Sequence, residues 1–284
     1  MTMNACYTHV SLCNASRHCD LRRIQSVLET LKRHQVFNSL CDETKEALCR
    51  AYVSGSQEVI EYFLKEGMTL DSRHVGHVVR QGDMDALGKV TEHLKCHNDW
   101  NPHLEKLGTH WNFIPLFVCP SKYKPHEIGE VPFSTALYIA YCNEEFDMAD
   151  YLVKNGVIVS MDILPRVLEY SSQNAVDRLI QSLKNTGAWD SSSYFASEAL
   201  QIAYSKQKYD VCDLLIHIVV SLTVENLQGV IRRSEASFYS VKKAIQHLQD
   251  THSWDPMCDD AVEALQIAYR KQKYDVCDIL VQEG

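Results

Sequence analysis

The sequence predicts an all-α fold, an α-solenoid of about eight stacked helix-turn-helix repeats running through residues 1–284 as one array. Three observations predict it. The first is a phrase that returns. Ala199-Leu200-Gln201-Ile202-Ala203-Tyr204, followed by Tyr209-Asp210-Val211-Cys212-Asp213-Leu214-Leu215, recurs 65 residues later as Ala264 to Tyr269 and Tyr274 to Leu280. The second is a pair of weaker echoes, from Ala136 to Tyr141 and from Ala47 to Tyr52. The step from the Tyr to the next apolar anchor is seven residues each time: Tyr52 to Val59, Tyr141 to Met148, Tyr204 to Val211, Tyr269 to Val276. The third is that the intervening segments share a helical period. Self-similarity at a fixed spacing signals units that stack on their neighbours to bury a face none could bury alone.

Taken in order, the chain alternates a weak copy with a strong one. The weak copies carry Leu12-Cys13 with Leu21, Ile24, Val27-Leu28 and Leu31; then Val75, Val78-Val79 with Leu87, Val90 and Leu94. The next two carry Ile163-Leu164, Val167-Leu168 with Val176, Leu179-Ile180 and Leu183; then Leu227, Val230-Ile231 with Val241, Ala244-Ile245 and Leu248. Apolar residues at three- and four-residue intervals, interrupted once by a polar turn, spell two amphipathic helices. The turns fall at 14–18, 80–83, 170–174 and 234–237, rich in Ser, Asn, Asp or Gly. In the strong copies a small Ala at 51, 140, 203 and 268 lets neighbouring helices approach closely, and the Leu and Ile beside it fill the gap.

A double unit of 65 residues is two repeats of about 33, the ankyrin length. The motif Ala-Leu-x-Ile-Ala-Tyr … Tyr-Asp-Val-Cys-Asp-Leu-Leu resembles the first and second helices of the ankyrin repeat. Lys65-Glu66-Gly67, Lys154-Asn155-Gly156 and Gln282-Glu283-Gly284 resemble its helix-ending turn, where Gly suits a left-handed cap. The resemblance implies a divergent ankyrin-repeat protein. Leu48, Leu137, Leu200 and Leu265 keep the family's Leu, but its following His is replaced by Cys49, Tyr138, Gln201 and Gln266, and its Gly-His turn by Gln207-Lys208 and Gln272-Lys273. Joins as short as 221–226 leave little room for the family's β-hairpin finger.

The period breaks once. Ala47 to Ala136 is 89 residues, 24 more than the unit. The first repeats therefore occupy 1–97, an inserted aromatic and Pro-rich loop occupies 98–133, and the remaining repeats occupy 134–284. The loop holds Trp100, Trp111 and five of the seven prolines, and an insertion of this kind projects as a packed or partner-binding element. Metal-capable side chains gather around it: His93, Cys96, His97, His103, His110, Cys119 and His126. They lack the paired short spacing of a zinc site, so no metal and no other cofactor is expected.

The net charge of −9 argues against nucleic acid or an anionic membrane as the main partner. No apolar run approaches the ~20 residues of a membrane span. Eleven Cys without a secretory signal suggest free thiols in a reducing, cytoplasmic setting. Cys13, Cys41, Cys49, Cys212 and Cys277 are expected in the core. The pairs Asp210/Asp213 and Asp275/Asp278 recur in two copies, which suits a repeated surface better than an active site. No catalytic motif is visible. The expected function is a non-catalytic protein–protein interaction scaffold holding a partner protein or peptide on a concave face, the inserted loop, or both, as the resemblance implies. The contact candidates are Tyr138, Gln201 and Gln266 on first helices, Trp189 and Trp254 at equivalent joins, and Trp100 and Trp111 in the loop. Each Trp has a second reading as a seal between repeats. The alternative function is an N-terminal regulatory domain of a larger signalling protein, such as a kinase, channel or death-type effector, since Gly284 falls where a second helix would finish.

Overall fold

A computed structural model describes residues 11–100 and 133–283, apart from 219 and 234. Trp111 and most of the inserted segment, 101–132, lie outside the described residues. The described residues form sixteen helices and no strand. The chain divides into two compact units, Met1–Ile158 and Val159–Gly284. The first contains α1 (helical residues 11–17), α2 (Leu21–Arg33), α3 (Asp42–Ser54), α4 (Gln57–Lys65), α5 (Arg73–Gln81), α6 (Met84–Cys96), α7 (Phe133–Cys142) and α8 (Phe146–Lys154). The second contains α9 (Ile163–Tyr170), α10 (Gln173–Asn185), α11 (Tyr194–Ser205), α12 (Tyr209–His217), α13 (Val224–Arg232), α14 (Phe238–Asp250), α15 (Asp259–Arg270) and α16 (Tyr274–Gln282).

Successive helices pair, and each weak or strong copy is one pair. The first turn falls later than the sequence suggested: helix runs through Arg17, so only the end of 14–18 is a turn. The two kinds of pair differ in proportion. Three of the four strong pairs have a long first helix and a short second one, 13 and 9 residues for α3 and α4, 12 and 9 for α11 and α12 and for α15 and α16, while α7 and α8 have 10 and 9. Weak pairs reverse this, 9 and 13 for α5 and α6 and for α13 and α14. The long second helices have clear start signals. Asp20, Asp83, Ser172 and Ser237 each accept a hydrogen bond from the backbone three residues on, satisfying an otherwise orphaned N–H. The strong turns all carry a left-handed residue, a device that the weak turns share at Cys19 and Gly82. Gly55, Glu144, Gln207 and Gln272 all take the left-handed conformation, with φ of 72°, 61°, 59° and 58°. Three of these four are non-Gly, so the turn is held by its surroundings against a local cost.

Within each unit the first helices lie side by side: α3 on α5 and α5 on α7 in the first, α9 on α11, α11 on α13 and α13 on α15 in the second. Ala51, Ala140, Ala203 and Ala268 are all fully buried at these crossings. Leu48, Leu137, Leu200, Leu28, Leu94 and Leu248 are equally closed off. Of the thiols expected inside, Cys49 and Cys212 are buried, whereas Cys13, Cys41 and Cys277 are partly exposed. Cys277 differs from Cys212 because no described helix follows α16 to cover it. The nine described cysteines are all free. No described helix is long and apolar enough to cross a membrane.

Candidate partner-binding surface

The tryptophans nominated from sequence share one position. Phe37, Trp100, Trp189 and Trp254 each stand six residues after the last buried Leu of a long second helix, Leu31, Leu94, Leu183 and Leu248. That Leu carbonyl accepts the backbone N–H of each Trp at 3.1 Å, closing the helix end identically three times. The side chains then reach the following pair. Trp100 Nε1 donates to the Asn155 carbonyl at 3.0 Å, and Trp254 Nε1 donates to the Glu283 carbonyl at 2.9 Å. Both carbonyls belong to the cap of the next short helix. At three of the four seams the residue after the Leu ties to the cap of the next short helix: Lys32 to Glu66, Lys95 Nζ to Asn155 Oδ1 at 2.6 Å, Gln249 Nε2 to Glu283 Oε2 at 2.9 Å. The sealing role therefore occupies the indole N–H of Trp100 and Trp254, and all three described Trp are half-buried.

A lysine clamp repeats at the same seams. Lys208 Nζ donates to the carbonyls of Leu168 and Ser171, both at 2.6 Å. Lys273 Nζ donates to those of Arg233 and Ala236 at 2.7 and 3.1 Å. The acceptors lie at the ends of α9 and α13, where unpaired carbonyls and the negative end of the helix dipole favour a cation.

The seam from a strong pair to the next weak one is built differently. Here the long second helix leans on the preceding first helix, α6 on α3 and α14 on α11. In the first unit a histidine fills this seam. Leu70 N–H donates to His93 Nε2 at 3.3 Å, so Nδ1 carries the proton and donates to Tyr52 Oη at 3.2 Å. Burial, and the stacked His97 ring 4.3 Å away, push the His93 pKa down to about 4. Both His93 nitrogens are thus engaged, and the described residues contain no cluster of three or more His, Cys, Asp or Glu able to hold a metal. His103, His110, Cys119 and His126 lie outside the described residues. In the second unit the equivalent seam encloses a polar cavity of about 160 Å³ between α12 and α14, lined by Tyr204, Tyr209, Asp213, Lys243 and His247.

The first-helix candidates separate. Tyr138 is half-buried on α7. Gln201 is half-buried on α11, and its side chain lies directly over Gly229 of α13: a Cβ at Gly229 would sit 2.2 Å from Gln201 Cδ. Gln266 is exposed, because α15 has a first-helix neighbour, α13, on one side only among the described residues. The same asymmetry leaves Tyr269 67% exposed where its counterpart Tyr204 is 2% exposed. Asp210, Asp213, Asp275 and Asp278 all face solvent.

Sequence reading missed a group of exposed apolar side chains. Tyr194 (71%), Phe195 and Val262 stand on the first turns of α11 and α15, and Met257 (83%) immediately precedes α15. Their signal was weak, because they fall at the edges of the repeated phrase. Asn226 Nδ2 donates to Ser197 Oγ, and Gln228 Nε2 donates to the Asp260 carbonyl at 3.0 Å. These bonds hold the N-terminal ends of α11, α13 and α15 together on one edge, beside the joins. No protein-family model matches this chain, and no curated protein sequence matches it significantly.

Proposed function

We propose that the chain is a non-catalytic scaffold, each unit a stack of divergent ankyrin-like hairpins that holds a partner polypeptide along its first helices and joins. The observation that carries this reading is the side-by-side row of first helices in each unit, with large apolar side chains left in solvent at the ends of α11 and α15. A row of rods with a shared edge offers a long, shallow surface, the kind that repeat proteins use for recognition, and large exposed apolar residues on an otherwise well-packed protein mark contact sites. The left-handed Gly67 and Gly156 and the closed-off Ala at each crossing support the ankyrin-like reading. Free thiols fit a reducing, cytoplasmic setting.

The test is site-specific photo-cross-linking in cells. A photoreactive residue at Gln266 or Glu225, on first helices, is expected to trap partner protein, whereas one at Gln181, exposed on a second helix, is not. Equal yields from all three positions reject the surface assignment. Deleting 104–130 separately asks whether the inserted segment takes part: unchanged capture removes it from the recognition surface.

A further inference from the structure

The exposed apolar side chains on the join edge of the second unit sit in a field of one sign. Segments 185–205, 218–231 and 251–269, which form the three joins and the first helices beyond them, contain no Lys or Arg. They contain seven carboxylates: Asp190, Glu198, Glu225, Asp255, Asp259, Asp260 and Glu263. The opposite, turn edge is mixed in sign, with Lys206, Lys208, Arg232, Arg233, Arg270, Lys271 and Lys273 beside Asp210, Glu235 and Asp275. Among the described residues, of these seven only Glu198 and Glu263 meet cations, Arg233 at 3.6 Å and Arg232 at 3.0 Å. Glu225 and Asp259, on the first turns of α13 and α15, form no ion pair among the described residues. Their charge favours the helix N-termini but remains open to solvent. Tyr194 and Phe195 lie at one end of this edge, and Met257 and Val262 at the other, with Glu225 on the helix between.

We infer that this edge docks a cationic polypeptide segment with an apolar residue at either end, an inference that rests on the scaffold reading above. Adjacent helices pack 8–10 Å apart, so two steps from α11 to α15 span roughly 18 Å. An extended chain covers that in about six residues at ~3.3 Å each. The segment therefore places two apolar anchors about six positions apart, one against Tyr194 and Phe195, the other against Met257 and Val262, with Lys or Arg between them facing Glu225 and Asp259. Apolar anchors supply affinity while the complementary field selects the partner and speeds encounter.

The experiment uses the full chain and three fluorescein-labelled nonapeptides, read by anisotropy. The first has Leu at positions 2 and 8, alternating Arg and Gly between them, and Gly at both termini. The second replaces each Arg by Glu. The third keeps Arg and replaces Leu by Gly. The first is expected to bind at least tenfold tighter than the third and ~100-fold tighter than the second, weakening as salt rises from 50 to 300 mM. The double variants Glu225→Lys/Asp259→Lys and Tyr194→Ser/Met257→Ser are each expected to lose tenfold or more. Equal binding of the first and third peptides means diffuse charge attraction and overturns the docking site, as does unchanged binding by either double variant. If these variants still trap their partner from Gln266 in cells, this inference fails while the scaffold reading stands.

Discussion

Replacing Lys208 by Met removes the ammonium and keeps the apolar stem, so it isolates the clamp from packing. The ammonium donates to two carbonyls at 2.6 Å, Leu168 in the last turn of α9 and Ser171 at its cap. A hydrogen bond to a charged group contributes about 1.5–3 kcal/mol. Lys208 is only half-buried, and freed carbonyls at a helix end turn partly to solvent, so the lower end applies. The pair together is expected to contribute about 2–3 kcal/mol. Urea unfolding followed by circular dichroism measures this as a lower midpoint with an unchanged slope. Lys206→Met is the control. Its ammonium pairs with Glu235 at 2.8 Å in a partly exposed bridge, and its loss is expected to cost about 1 kcal/mol or less. The clamp reasoning is refuted if Lys208→Met costs no more than Lys206→Met.

Gly229→Ala puts a Cβ 2.2 Å from the flexible end of Gln201, which must swing aside, while helix propensity favours Ala by about 0.5–1 kcal/mol; the net change is expected to lie within about 1 kcal/mol, and the full gain should show only in the Gln201→Ala background, where thermal unfolding reveals the two changes as non-additive. Gln272→Gly relieves a left-handed φ of 58° at an exposed turn and is expected to stabilise by about 0.5–1 kcal/mol, a rise visible in the urea midpoint. The folded-state pKa of His93, about 4, lies below its unfolded value of about 6.5, so the unfolded chain binds the proton more readily. Its contribution is complete above pH 6.5 and is lost as pH falls from there toward 4, by about 1–2 kcal/mol after discounting for partial solvent screening; His93→Asn should flatten that part of the profile of unfolding energy against pH. Ile202→Ala empties a site 2% exposed and is expected to cost about 2–5 kcal/mol in the same unfolding assay.

The helices were legible because burial leaves a period in the sequence. Ala203, Leu200 and Tyr204 repeat as Ala268, Leu265 and Tyr269, and both sets sit on helices at the predicted places. The two kinds of seam were not legible. Lys208 reads as a turn residue replacing Gly-His, and nothing local to it shows that its ammonium reaches 40 residues back to Leu168. Identical words also met different surroundings: Gln201 lies against Gly229 while Gln266 stands in solvent, a difference set by the neighbouring helix rather than by the phrase itself. The tryptophans were noticed as aromatic anchors, but their shared offset of six residues from a buried Leu, which decides their part in the seam, emerged only once the helix ends were placed. Tyr194 and Met257 were passed over because a lone apolar residue beside a polar join carries no periodic signature.

The unequal hairpins set a grammar for growth. A pair with a long leading rod presents a face suited to one with a short leading rod, and the reverse holds at the next junction. A single extra hairpin, spliced in anywhere, would bring two like faces together and spoil the joint on one side. Lengthening or shortening such a protein therefore proceeds in steps of two, and a designer adding capacity should duplicate the whole 65-residue module, cut at the same place in both copies.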